Sequence, residues 1–210
     1  MPSSKMLGTN PTQSSLSYTD LLHSWAQFEA KILNLLTKLD LADKKLECDH
    51  VAVRVNSIAS ADALRQAFCQ VGHIISDNQI NGRCILIIEL NTPLTLGEFS
   101  IPCVELPYPS DKLYPQEGWE HIELVIPSLA KDCEALSQDL RLLCPRLTSL
   151  LSGEPCSEPS ESIHIKMSSP KGEKERLANP TIAFKYQEVC IKVHPHGIKA
   201  VIASEQVDTI

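Results

Sequence analysis

The chain has 210 residues, 43% hydrophobic and 21% charged, with a formal net charge of −7. That composition supports a folded core and excludes global disorder. The acidic balance, with no Lys/Arg cluster standing out, argues against a nucleic-acid partner held by general electrostatic attraction. No apolar run approaches the roughly 20 residues of a membrane span, so no membrane partner is expected.

Residues 1–16 are rich in Ser, Thr, Pro and Asn and read as a flexible leader without the apolar core of a secretory signal. The eight cysteines form no C-x-x-C pair, which removes the zinc-ribbon and thioredoxin spacings. Free thiols in a reducing, cytoplasmic compartment are the expectation.

From Ser17, Leu21, Leu22, Trp25, Phe28, Ile32, Leu35, Leu36 and Leu39 recur at helical intervals. Ser17 with Asp20 three residues on predicts a cap, although Asp is a weaker partner than Glu. Residues 17–47 therefore read as a helical appendage on a first module, 48–108. That module begins with strand 49–55, followed by helix 57–71, stopped by Gly72. A hairpin of 73–80 and 83–90 flanks Asn81-Gly82, the pair favoured for a two-residue turn. A turn containing Pro93 and Gly97 then leads to strand 99–107. Residues 109–118 form a linker rich in Pro and Tyr.

The second module, 119–210, repeats the order. Strand 120–126 leads to a helix from about Ser128 to Leu143, ended near Pro145. A Ser/Glu/Pro-rich loop at 152–161 precedes strand 162–168. A charged loop at 169–176 precedes strands 181–186 and 188–194, and a short helix from Gly197 to Glu205 closes the chain. Asp49-His50 and Glu120-His121 open matching strands, so the sequence predicts an internal duplication. The fold class is α+β: two βαβββ modules forming curved mixed sheets around a shared cavity, with an added N-terminal helix.

Side chains alternate along strands. His50 and Arg54 thus oppose Val51, Val53 and Val55, and His121 and Glu123 oppose Ile122, Leu124 and Ile126. Glu105, Lys166, Lys192 and His194 fall on the polar faces of their own strands. If these faces line one curved sheet, His50, Glu105, His121 and His194 converge, with Arg54, Glu123, Lys166 and Lys192 around them. Imidazole and carboxylate ligands suit Zn, Ni, Mn or Fe. The plainer alternative is a half-solvated sheet with a polar outer face.

With those residues in view, the chain resembles the YecM-like family of bacterial proteins. The resemblance is carried by Asp49-His50, by Ser76-Asp77-Asn78-Gln79-Ile80-Asn81-Gly82-Arg83 and by Val104-Glu105-Leu106-Pro107-Tyr108-Pro109. It continues in Tyr114-Pro115-Gln116-Glu117-Gly118-Trp119-Glu120-His121-Ile122-Glu123, in Ser168-Ser169-Pro170-Lys171-Gly172-Glu173 and in Val193-His194-Pro195. That family is similar to the vicinal oxygen chelate superfamily, which includes glyoxalase I and extradiol dioxygenases. The resemblance implies metal ligands on the first and last strands of each module: His50, Glu105, His121 and His194. The fourth ligand departs from the carboxylate often found there; His196, Glu123 or His164 are the alternatives.

Other constellations have plainer readings. Arg83 could bind an anionic substrate or be an exposed hairpin arginine. The 170–173 loop lacks phosphate-loop spacing, and Trp119 suits packing better than ligand stacking. Cys48 is a conceivable nucleophile but more naturally a buried thiol. The expected function is that of a divalent-metal-binding protein, an isomerase, lyase or dioxygenase acting on a small oxygen-rich anionic metabolite. In that reading Glu123 moves the proton, and Arg54, Arg83, Lys166 and Lys192 bind the substrate. Two rivals are a non-catalytic metabolite-binding protein using the same cavity and an interaction module docking through the N-terminal helix.

Overall fold

The structure, a computed structural model, describes residues 16–80, 82–153, 162–169 and 176–205. Most of the expected leader, Asn81, and most of the 152–161 and 169–176 loops lie outside these residues. Helix α1 (Tyr18–Lys38) opens with a closed capping box. Ser17 Oγ accepts the Asp20 N–H at 3.2 Å, and Asp20 Oδ2 accepts the Ser17 N–H at 2.9 Å.

After α1 come β1 (Glu47–Arg54), α2 (Ile58–Val71), β2 (Gly72–Ile80), β3 (Arg83–Leu96) and β4 (Phe99–Pro107). Then come β5 (Gly118–Val125), α3 (Cys133–Leu143), a 3-10 turn at Pro145–Leu147 and α4 (Thr148–Leu151). The chain continues with β6 (His164–Ser168), β7 (Thr181–Tyr186), β8 (Val189–His194) and α5 (Ile198–Glu205). The eight strands form one mixed sheet in the order β2-β3-β4-β1-β5-β8-β7-β6. β1 runs parallel to β4 and β5 parallel to β8, while β1 and β5 meet antiparallel at the centre. Outward from that central pair, either half reads first strand, last, third, second. The α+β class agrees with the sequence.

One face of the sheet carries the core. Val51, Val53, Val104, Leu106, Ile122, Leu124, Ile191 and Val193 join the buried faces of α1, α2 and α3 in a single cluster. Burying each such side chain contributes roughly 1.5–3 kcal/mol. Helix α1 is an integral layer of this core rather than an appendage on the first module: it lies across β5 and β8 and touches α2. The reason is aromatic. Trp119, at the start of β5, meets Trp25 edge-on at 4.9 Å and donates from Nε1 to the Leu21 carbonyl at 2.8 Å. The apolar stripe of α1 (Leu21, Phe28, Ile32, Leu35 and Leu36) is thereby covered.

Three local expectations shift. α3 starts at Cys133, because Asp132 Oδ1 accepts the Ala135 N–H at 2.9 Å and caps the helix there. Pro93 lies inside β3, in the register break between Glu89 and Leu94, where its missing N–H is not needed by the ladder. Gly72 ends α2 in an extended conformation, not a left-handed cap. Glycine is required there by close approach, since a Cβ would sit 2.3 Å from the Glu89 carbonyl oxygen in β3. Gly72→Ala is therefore expected to destabilise the protein by about 2 kcal/mol, read as a lower urea midpoint with an unchanged slope.

Candidate metal centre

The opposite face of the sheet is polar, and its arrangement starts in the central β1–β5 ladder. His50 pairs with Glu123 and Ala52 with His121, while β4 brings Glu105 beside Ala52 and β8 brings Lys192 beside Glu123. The ladder shifts register twice, between Cys48 and His50 and between Ala52 and Val53. The residues left over are Asp49 on β1 and Glu120 on β5. Each is a bulge residue immediately before a histidine. Strict alternation would turn both acids toward the apolar face, whereas a bulge re-aims the extra residue. The two carboxylates accordingly hold the neighbouring rings: Asp49 Oδ1 lies 3.1 Å from His50 Nδ1, and Glu120 Oε2 contacts His121 Nδ1.

With both Nδ1 atoms engaged, both Nε2 atoms are directed at one point. His50 Nε2 lies 3.4 Å from Glu123 Oε1 and 3.7 Å from Glu105 Oε2; His121 Nε2 lies 3.1 Å from Glu123 Oε1. One ligand atom from each of His50, Glu105, His121 and Glu123 falls within 4.8 Å of all the others. Neighbouring ligands on one ion with bonds near 2.1 Å stand roughly 3–3.5 Å apart, so the group could hold a metal ion. His50 Nε2 is buried and lacks an aligned hydrogen-bond partner, as a nitrogen reserved for an ion would be. Carboxylates on the far ring nitrogens are the usual support of metal-binding histidines.

The charges are mutually dependent. Burial opposes a charged His50, but the Asp49 and Glu123 carboxylates outweigh it and hold the ring well above the ordinary imidazole range. Burial likewise opposes ionised Glu123, and Lys192 and His50 outweigh it, keeping the carboxyl well below its usual range. Glu105 is depressed through Lys192, His121, His50 and Arg54, again against burial. Lys192 Nζ is 2.7 Å from Glu123 Oε1.

His194, expected as a ligand, lies beside this group. Its register partner is Val125, one same-face step beyond Glu123. Its Nδ1 accepts from Asn179 Nδ2 at 3.1 Å and lies 3.4 Å from Glu123 Oε2, and its Nε2 lies 3.4 Å from Asp49 Oδ1. Asp49 also accepts the Ile198 N–H at the start of α5 at 2.5 Å. Arg54 is tied to Glu120 at 3.1 Å and Glu105 at 3.7 Å. Lys166 on edge strand β6 and Arg83 on β3 line a cavity of about 480 Å³ above the cluster, together with Arg54 and Lys192. Cys48 is buried, and burial first, then Asp49, pushes its thiol well up, which disfavours the thiolate. The described cysteines are free, and no described helix is long and apolar enough to cross a membrane. Asp49 and Glu120 are the site residues to which the sequence reading gave no role; their signal was the repeated acid-histidine dipeptide.

A family model described as "YecM protein" matches residues 17–205. The chain is 40% identical over 187 residues to Protein YecM of Escherichia coli (strain K12), covering 89% of this chain and 93% of that protein. It is 38% identical over 186 residues to an uncharacterized protein of Haemophilus influenzae, covering 86% and 91% respectively. The solved structure described as "Structural Genomics, Protein EC4020" shares 35% identity at a TM-score of 0.74, covering 97% of this chain and all of that one.

The cluster's contribution to stability has a defined pH window. Glu123 is depressed in the fold, so its contribution is present above the ordinary value of 4.5 and lost as pH falls through the folded value. His50 is raised, so its contribution is complete below the ordinary 6.5 and lost as pH rises through the folded value. The Tm difference between metal-free wild type and Glu123→Gln is therefore expected to be largest between these two values. It should shrink in more acidic buffer and, in part, in more basic buffer.

Proposed function

The chain belongs to the YecM family, and we propose that it is a divalent-metal-binding protein of the vicinal-oxygen-chelate type. His50, Glu105, His121 and Glu123 would hold the ion. The observation that carries this reading is the convergence of two buried Nε2 atoms on Glu123, each imidazole held from behind by the carboxylate that precedes it in sequence. Two nitrogens and two carboxylates suit Zn, Ni, Mn or Fe. When bound, such an ion supplies Lewis-acid polarisation of two adjacent substrate oxygens. Glu123, whose Oε2 faces His194, is the carboxylate placed to take or return a proton, and Lys192 and Arg54 orient an anionic small molecule. Isomerase, lyase and dioxygenase chemistry are all within reach of this set.

The same cavity supports a reading of the sheet as two βαβββ modules curved around a shared space. Arg83 on β3 and Lys166 on β6 line one cavity although six strand positions separate them. In a flat sheet those strands would lie about 29 Å apart at ~4.8 Å per position. Curvature brings the wings together.

A second reading is favoured by Lys192, whose ammonium already compensates Glu123 at 2.7 Å. A non-catalytic metabolite-binding protein could keep that ion pair and need no metal. Elemental analysis of tag-free protein purified without chelators separates the two. Near-stoichiometric Zn, Ni, Mn or Fe is expected in wild type, with a loss of at least tenfold in a folded His121→Ala variant. No uptake by wild type, even after reconstitution with each ion, would leave the metabolite-binding reading in its place.

A further inference from the structure

The metal cluster occupies only the floor of the cavity; its walls carry an unbalanced charge. Arg54, Arg83, Lys112, Lys166, Lys185 and Lys192 line it against three carboxylates, Glu105, Glu120 and Glu123. Those carboxylates are already engaged, two by Arg54 and one by Lys192. Among the described residues, Arg83, Lys112, Lys166 and Lys185 have no carboxylate partner. A chain of net charge −7 thus gathers excess positive charge in the cavity beside the His/Glu group, a local reversal that like-charge repulsion opposes unless an anion enters.

Arg83 is the fixed member of this wall. Its Nε donates to the Tyr108 carbonyl, its Nη1 donates to the Tyr114 hydroxyl at 3.2 Å, and its guanidinium lies 5.8 Å from the Tyr114 ring centroid. Tyr114 is itself clamped: its N–H donates to Asn56 Oδ1 and its carbonyl accepts from Asn56 Nδ2, both at 2.8 Å. The remaining nitrogen, Arg83 Nη2, is buried and has no partner. A guanidinium held in place with a spare buried donor is prepared for a carboxylate or phosphate oxygen.

We propose that Arg83, with Lys166 and Lys185 across the cavity, forms an anion subsite for the carboxylate or phosphate group of the substrate. The proposal rests on the metal-site reading only for what the substrate's other end does; the subsite itself needs no metal. Arg83 precedes by four residues Ile87, the register partner of Glu105. That offset is about 13 Å of strand at ~3.3 Å per residue, less the reach of the arginine. The substrate is therefore a small acid or phosphoester whose anionic group stands several bonds from the paired oxygens that meet the metal centre.

The test uses the full chain, stripped of metal and titrated calorimetrically with inorganic phosphate and with malonate at fixed ionic strength, chloride serving as the control. Saturable binding of phosphate or malonate is expected, weakened at least tenfold in Arg83→Met, partly restored in Arg83→Lys, with metal uptake unchanged in both. Preference for phosphate identifies a phosphoester, and preference for malonate a carboxylate. Binding no stronger than chloride in wild type, or equal binding in a folded Arg83→Met, overturns the subsite. If Arg83→Met does not fold, the exposed Lys166→Met decides in the same way: weakened binding supports the subsite and unchanged binding overturns it. Failure of wild type to take up any divalent ion is a separate result that removes the metal reading and leaves the subsite standing.

Discussion

The central β1–β5 ladder, with one acidic bulge on each strand, is the constraint on which the polar side of the molecule depends. A regular antiparallel pair would put Asp49 and Glu120 on the apolar face, against α1 and the helices that cover it. The two register shifts instead leave each acid beside the ring that follows it. Because the strands run antiparallel, the bulges lie at opposite ends of the ladder, and the two imidazoles reach inward from opposite directions to meet at Glu123. One local irregularity, used twice, both orients the histidines and directs their free nitrogens to one place.

The remaining contacts follow from placing that much charge under a sheet. Buried carboxylates persist only when paired, and the charged partners are His50 for Asp49, Arg54 for Glu120 and Lys192 for Glu123. Asp49 also takes the backbone N–H that begins α5. The closing helix is thereby fastened to the site, and its Ile202 packs with Ile87 and Cys103 on the polar side of the sheet. The other face needs no such pairing; it is a continuous aliphatic layer that α1 completes through Trp25 and Trp119. The polar centre is bounded by the hydrophobic layer on one side and the cavity on the other.

Much of this was legible in the chain because period-two alternation is a local property. It assigned His50, Glu105, His121, Glu123, Lys192 and His194 to one face, and they share it. Register is not local. Alternation could not say that β8 sets Lys192, rather than His194, opposite Glu123, since a shift by two residues keeps the face and changes the partner. The seat of α1 was illegible for a related reason: it depends on Trp25 meeting Trp119 across 94 residues of sequence. The helix boundaries moved where a side-chain cap, Asp132, was read as helix interior.

The places where alternation fails carry a further argument. Asp49 and Glu120 break the pattern, and both break it beside the His/Glu group that could hold a metal ion. A bulge interrupts ladder hydrogen bonds, and buried ion networks rarely exceed well-packed apolar side chains in stability. Neither device improves the fold that contains it. Local rules are generally obeyed where structure is the only demand, and departures concentrate where a site has to be built. Two matched departures, each setting a carboxylate behind an imidazole whose other nitrogen faces the same glutamate, make a group built to hold an ion a better account than a polar surface that happens to be covered.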